Sequence, residues 1–356
     1  MGSPMTFLDF QKTVDQNKIH FVSGKSVRIK GYGVAFEPAY ALESSGSRNS
    51  KVFIHCLSSI EKACEAFFKT FKMDGKDRWG LCLSTAHVAG FSVLTRSYFG
   101  KLKEPHVFSW SKEFLISEIE KNNVSILSLV PTQIFDLVKM RLQPPKCLRM
   151  VFVGGAKLSS ELREEASKLG WPLVDCYGST ETFAQMSYSL DGKALRAFDG
   201  WSLKLLEDGE LSILGPGLFI GQIREGVYRS RTGEWFKTGD LAEVNEDKFL
   251  IRGKKAGLVK IKGSYFDFNK LKLDFQNFLI KKSIDPSRCF LACLAEKRDG
   301  VGIYIISTSS HLDSTIIESF SEIRGVFYLE SVERSALGKI KLSSLSNVLQ
   351  KTVLSL

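Results

Sequence analysis

The sequence predicts an α/β fold: a large N-terminal domain with a mostly parallel sheet and a β-rich section, then a small, mobile α+β C-terminal domain. Three observations carry this reading. Between residues 78 and 176, short apolar runs alternate with helix-period stretches, the pattern of strands joined by crossover helices. From about 200 the runs shorten and flank polar turns such as Asp208-Gly209, a hairpin signal. Beyond the basic, glycine-punctuated stretch Arg252–Gly257 the pattern becomes mixed again, which sets domains at 1–252 and 253–356.

Residues 1–40 give no regular pattern. Val52-Phe53-Ile54 is a short apolar run, and Ile60, Ala63, Cys64, Phe67, Phe68 and Phe71 then form one apolar helix face. Strands are expected at 79–83, 124–130, 149–153 and 172–176, and helices at 88–98, 112–122, 132–141 and 159–169. In the β-rich section, 202–206 pairs with 210–214 and 241–244 with 249–251. The C-terminal part should hold strands at 258–261, 289–295 and 301–306, a helix at 269–281 and a closing helix at 342–350.

The chain has 356 residues, 44% of them hydrophobic and 25% charged, enough for a core that needs neither disulfides nor a structural metal. Its formal charge is +10, but the basic residues are scattered and the longest runs are pairs such as Lys254-Lys255 and Lys281-Lys282. A nucleic-acid site usually shows a clustered footprint, so no nucleic-acid partner is expected. Cysteines 56, 64, 82, 147, 176, 289 and 293 are odd in number and irregularly spaced, which argues for reduced thiols in a cytoplasmic protein. No run approaches a membrane span, the N-terminus has no signal-peptide pattern, and nothing sets an oligomeric state.

Five segments suit phosphate and nucleotide chemistry, each with a plainer alternative. Glu43–Lys51 is a Ser/Gly-rich loop ending in lysine; its hydroxyls and N–H groups can wrap phosphate oxygens, or it can be a flexible connector. Gly154-Gly155-Ala156 closes a strand and permits close approach by a flat ligand, or is a tight turn. Tyr177-Gly178-Ser179-Thr180-Glu181 combines hydroxyls with a carboxylate suited to Mg²⁺, or caps a helix. Asp240 in Lys237-Thr238-Gly239-Asp240 can accept from ribose hydroxyls, or form an Asx-turn. Lys339, after Gly338, can reach a site from another domain, or be a solvated surface group.

In this order, with Ser84–Gly90 around His87 and the segment Gly209–Gly217 (GELSILGPG), the series resembles the adenylate-forming (acyl-CoA synthetase) superfamily over residues 40–342. Within it, Ser128-Leu129-Val130-Pro131-Thr132-Gln133 looks like the o-succinylbenzoate–CoA ligases of menaquinone biosynthesis. Three departures stand out. Arg48 and Asn49 replace the usual threonine and glycine, with no proline before Lys51; Lys254-Lys255-Ala256-Gly257 replaces the usual RxDD; and only residues 1–43 precede the phosphate loop, where a further subdomain is usual.

The resemblance implies a ligase that uses ATP, Mg²⁺ and coenzyme A to convert a carboxylic acid to an acyl-adenylate and then a thioester. It implies roles as well. Lys339 bridges the acid and the α-phosphate; Thr180 and Glu181 hold the α-phosphate and the metal. Ser44, Ser45, Gly46, Ser47 and Lys51 embrace the β- and γ-phosphates. Asp240 takes the ribose, with Lys254 in the arginine's place. Gly154, Gly155, Ala156, Tyr177, Gly178 and Ser179 line the nucleotide. His87, Thr132 and Gln133 border the acyl pocket. The altered loop leaves open a non-catalytic binding protein of the same fold; a carrier-protein thiol is the alternative acceptor.

Overall fold

The computed structural model describes residues 4–14, 19–22, 38–44, 51–246, 248–255, 258–261, 264–296, 300–309, 316, 319–320, 322–334, 340 and 342–349. Its centre is an eleven-stranded sheet. One half is parallel: Lys103–Val107, Arg78–Leu81, Ile126–Leu129, Met150–Val153 and Leu173–Ser179 lie in that spatial order.

Alternation along these strands explains the core. Ile126, Phe152 and Val174 point into one apolar cluster, and their neighbours Leu127, Val151 and Leu173 into another. Helices Leu57–Thr70 and Val88–Phe99 cover the first face, burying Ile60, Cys64, Phe67, Phe91 and Leu94. Helices Leu115–Lys121, Pro131–Lys139 and Ser160–Lys168 cover the second, with Ile119, Ile134, Leu137, Leu162 and Ala166. A parallel sheet covered on both faces reads as continuous apolar runs, which is how its strands could be found.

The β-rich section continues the same sheet. Leu173–Ser179 pairs in parallel with Met150–Val153 on one side and antiparallel with Ala184–Ser189 on the other. From there the antiparallel order runs through Leu195–Ala197, Lys248–Lys254, Phe236–Asn245, Glu210–Leu214 and Ser202–Leu205. Taken whole, the sheet is therefore mixed, and its parallel half is the part covered by crossover helices. A five-stranded sheet joins Ile19–Phe21, Ala39–Glu43 and Val52–Cys56 to the hairpin of Gly221–Arg224 and Val227–Ser230.

Residues 258 onward give a two-stranded ribbon, Leu258–Ile261 with Ser264–Asp267, then helix Phe268–Lys281 and three strands, Cys289–Glu296, Gly300–Ser307 and Ile323–Tyr328. Phe268, Leu271, Phe275 and Leu279 pack with Leu291, Ile303 and Ile305 in a cluster of their own, while Ile280 joins the second face of the large sheet. The closing helix is Leu342–Leu349. Among the described residues no helix is long and apolar enough to cross a membrane.

The helix expected at 112–122 begins only at Leu115, because Ser111 first makes a turn, accepting from the Phe114 N–H at 3.4 Å. The unpatterned start holds helix Phe7–Thr13, capped by Thr6 and anchored by the buried Phe10. Lys103–Val107 (KEPHV) gave no strand signal because it carries a proline, which the edge of a sheet tolerates.

Candidate active site

Four predicted segments follow the C-terminal ends of four adjacent parallel strands. Ser84–His87 follows Arg78–Leu81, Val130–Gln133 follows Ile126–Leu129, Gly154–Ala156 follows Met150–Val153, and Tyr177–Glu181 ends Leu173–Ser179 and the turn after it. Parallel strands bring their carboxyl ends to one edge, where open α/β sheets place their ligands.

Asp240 reaches this edge from the antiparallel half. Its strand lies four positions from Leu173–Ser179, roughly 19 Å in a flat sheet. Yet Tyr177 Oη donates to Asp240 Oδ2 at 2.7 Å, so the sheet curves to bring the two together. Lys254 Nζ lies 2.8 Å from Oδ1 and 2.9 Å from Oδ2 of the same carboxylate. The lysine thus stands beside Asp240. Burial and the Asp240 charge push the Tyr177 phenol well above its ordinary value, so it remains a donor.

The turn that carries Asp240 is held at both ends. Thr238 Oγ1 donates to Leu211 O at 2.9 Å and accepts from Asp240 N at 3.1 Å. Gly239 adopts φ 72°, a conformation glycine takes without strain, and its N–H donates to Glu210 Oε1 at 3.0 Å. Glu210 is buried, and its other oxygen lies 3.0 Å from Lys255 Nζ.

The Tyr177–Glu181 segment is fixed from beneath. The Cβ absent at Gly178 would lie 1.8 Å from Ala184 O, so glycine there is a packing requirement between neighbouring strands. Thr182 Oγ1 accepts from Ser179 N and donates to Ala184 O, both at 2.8 Å. His55 Nε2 donates to Thr180 O at 2.8 Å, and burial lowers this histidine to about 4, so it is neutral. At the strand ends Gly155 and Ala156 are exposed, and a Cβ on Gly154 would meet nothing nearer than 3.8 Å, leaving a flat surface open to a planar ligand.

The remaining predicted residues divide. His87 caps helix Val88–Phe99 with extended backbone, and Thr132 is exposed near the start of Pro131–Lys139. Gln133 is buried, and its Oε1 accepts from Val130 N at 2.9 Å, so half of that amide is committed to the helix start. Ser44 N donates to Lys51 O at 2.8 Å, which closes the base of the phosphate loop. Ser45, Gly46, Ser47 and Lys339 lie outside the described residues.

Mg²⁺ binds through one or two carboxylates together with phosphate oxygens and water. Among the described residues no three acidic, histidine or cysteine side chains gather into a cage. A lone Glu181 carboxylate, close enough to Tyr177 to influence its proton, is the donor set such an ion takes when phosphates supply the rest. The site fits that cation.

One functional candidate escaped the motif reading. Arg96 lies on helix Val88–Phe99 and is only 2% exposed. Its guanidinium rests 3.9 Å over the Phe67 ring, and among the described residues neither Nε nor Nη1 has a hydrogen-bond partner. The groups that act on it electrostatically are Cys64 and Cys176, both thiols pushed up by burial, to about 11 and about 12. Burial lowers Arg96 to about 10, still a cation at neutral pH. The signal was present: a helix apolar all round is a buried helix, so an arginine within it is a buried charge.

A groove of about 470 Å³ lies at the opposite end of the strands, lined by Arg149, Arg163 and Trp171 among others. Its arginines are bound to Asp77 and Asp175, each at 2.5 Å, and it belongs to the packing of that end.

Residues 52–221 match the AMP-binding enzyme family. The 2-succinylbenzoate–CoA ligase of Bacillus licheniformis is 26% identical over 265 residues, covering 69% of this chain and 51% of that protein. Its counterpart from Bacillus pumilus is 27% identical over 193 residues, 49% of this chain and 40% of that protein. The chain thus spans about half the length, or less, of these curated relatives. Among solved structures, the o-succinylbenzoate coenzyme A synthetase of Bacillus subtilis in complex with ATP and magnesium ion aligns with a TM-score of 0.71 at 19% identity, covering 84% of this chain and 68% of that one. An anthranilate CoA ligase in complex with anthranoyl-AMP aligns at 0.69 and 16% identity, covering 87% and 67%. The fold is that of these AMP-binding enzymes.

Proposed function

We propose that the protein is an AMP-forming acid–CoA ligase, and that its acid is an aromatic carboxylate bearing a second carboxylate, best represented by o-succinylbenzoate. The observation that carries the first half is the convergence of Tyr177, Asp240 and Lys254 beside the strand-end loops, a built acceptor for a ribose on an edge suited to a nucleotide. Arg96 carries the second half. A buried cation without a carboxylate among the described residues is costly unless a bound anion completes it. It lies on the helix that His87 begins and acts on Cys176, the residue before Tyr177.

The roles follow. Asp240 accepts from the ribose hydroxyls while Lys254 and Tyr177 hold its carboxylate in place. Gly154, Gly155 and Ala156 offer the flat strand-end surface to adenine. Ser44, Ser45, Gly46, Ser47 and Lys51 take the outer phosphates; Gly178, Ser179 and Thr180 line the α-phosphate. Mg²⁺, when bound through Glu181 and phosphate oxygens, would supply charge that offsets the repulsion between anionic reactants. Lys339 adds charge where the acid attacks the α-phosphorus and pyrophosphate leaves; the coenzyme A thiol then takes the acyl group and AMP departs. His87, Thr132 and Gln133 border the acid, Gln133 through its amide nitrogen. Residues 253–356 act as a small domain that turns against residues 1–252 between the two steps. The seven free thiols and the small polar reactants suit a cytoplasmic reaction.

ATP–pyrophosphate exchange with o-succinylbenzoate, benzoate and a medium-chain fatty acid tests the reading. Exchange should require the dicarboxylate, and free coenzyme A should then yield the thioester. Preference for either monocarboxylate overturns the acid; exchange with none of a broad panel of acids favours a non-catalytic binding protein. Lys339→Ala should slow adenylation roughly a thousandfold, about 4 kcal/mol, yet spare thioester formation from supplied acyl-adenylate. Ordinary adenylation by this variant would make Lys339 a surface lysine.

A further inference from the structure

Two consecutive lysines close the strand Lys248–Lys254 and the residue after it, and they grip different partners. Lys254 holds Asp240. Lys255 holds Glu210 at 3.0 Å and Asp208 at 2.5 Å. Glu210 is buried and uses its other oxygen to accept from Gly239 N, the residue before Asp240. An unbroken chain of contacts therefore runs from an ammonium group that is 45% exposed to the turn that presents the ribose acceptor.

We propose that Lys255 is a positioning residue for the nucleotide site: through Glu210 it fixes the Thr238–Asp240 turn and so sets the aim of Asp240. This rests on the nucleotide-binding reading above and adds a residue that touches no nucleotide. Three physical points support it. A buried carboxylate needs both oxygens engaged, and here one partner is the turn and the other is Lys255. Gly239 sits at φ 72° in a region that glycine leaves easily, so its N–H contact to Glu210 adds to the Thr238 hydroxyl in holding the conformation. Finally, an exposed ammonium adds little to global stability, so its contribution is local. The same exposure makes the contact easy to break, and Lys255 stands where the chain leaves the large sheet for the C-terminal ribbon at Leu258–Ile261. A change in that segment would be felt at Asp240 through one side chain.

Two readouts on the full chain test this, one without any ligand. Hydrogen exchange of residues 236–242 should accelerate in Lys255→Met, at the Gly239 amide most of all, while the melting temperature stays near the parent's. ATP binding by calorimetry should weaken about three- to tenfold, and Lys255→Arg should restore it to within about twofold, since the guanidinium keeps the charge. Glu210→Gln should behave like Lys255→Met, because an amide NH₂ cannot accept from the ammonium, and the double variant should be no worse than either single one. Parent-like exchange in Lys255→Met overturns the proposal whether or not ATP binds. Additive effects in the double variant overturn it as well. A parent that fails to bind ATP removes the nucleotide-binding reading, and the exchange result still decides the contact chain.

Discussion

Asp175 and Cys176 are neighbours on one strand and face opposite sides of the sheet, and each meets an arginine, half-buried Arg163 on one side and buried Arg96 on the other. On the Asp175 side, Arg163 is complete: Nη1 donates to Asp175 Oδ1 at 2.5 Å, and Nη2 to Leu190 O at 2.5 Å and Leu173 O at 3.4 Å. On the Cys176 side, Arg96 has an aromatic face and two neutral thiols, and two of its nitrogens donate to nothing. The first cation is satisfied by its own chain. Among the described residues the second has no such set of partners. The contrast places Arg163 in the architecture, and in the function proposed above Arg96 is the residue that meets the acid.

The largest effect should come from breaking the incomplete member. Arg96→Met removes a buried charge and replaces it with a flexible apolar chain of similar length. Acid-dependent pyrophosphate exchange should fall about a hundred- to a thousandfold, roughly 3–4 kcal/mol, the scale for truncating a desolvated ionic partner. The melting temperature should hold or rise, since apolar replacement of a buried ion is often neutral or stabilising. A sharp loss of stability with exchange per folded molecule unchanged would make Arg96 structural after all.

Arg163→Met should do the reverse. Its side chain is 12% exposed and that of Asp175 19%, and burial already raises the Asp175 carboxyl despite the guanidinium beside it. Removing the arginine strands that carboxylate, which should destabilise the fold by about 3 kcal/mol in denaturant titrations. Exchange activity of the folded fraction should stay within about threefold, roughly 0.7 kcal/mol. A stable Arg163→Met protein would mean that Asp175 can take its proton or find water cheaply.

The same contrast shows what the sequence could reveal. Strands such as Ile126–Leu129 and Met150–Val153 were legible because burial on both faces writes a continuous apolar run. Ala184–Ser189 was passed over although AQMSYS alternates apolar and polar residues, and the three residues of Leu195–Ala197 are too few to show a period. Four motif loops, at Ser84–His87, Val130–Gln133, Gly154–Ala156 and Tyr177–Glu181, were legible as short strings and follow the same ends of adjacent parallel strands, because strand polarity fixes that edge. Three things were beyond strings. Tyr177 meets Asp240 only because the sheet curves. Gly178 is required by Ala184 O as a neighbour across strands. Glu210 supports Gly239 from 29 residues away. Arg96 sits between these cases, visible as a charge in an apolar helix but silent about its missing partner.

His55 is the boundary case, and it gives the smallest effect. It lies on Val52–Cys56, a strand of the five-stranded sheet, and is used by the protein: its Nε2 donates to Thr180 O at 2.8 Å, beneath the Tyr177–Glu181 segment. Burial lowers it from 6.5 to about 4, against the hydrogen bond to Thr180 that would raise it. The direction of the pH effect follows. Below 6.5 the unfolded chain takes up a proton that the folded chain refuses until about 4, so stability is full above 6.5 and declines as pH falls through that window. The decline is roughly 3 kcal/mol at most. Denaturant midpoints measured from pH 7.5 to 4.5 should therefore drop more steeply for the parent than for His55→Gln. Glutamine keeps an N–H for Thr180 but cannot titrate. The difference in slope should approach one proton, and the Glu181 loop should keep its ATP affinity at pH 7.5 to within about threefold. Parallel pH curves would place the titration on other groups. A His55→Gln protein that loses ATP at pH 7.5 would instead move this histidine across the line, from the side of Arg163 to that of Arg96.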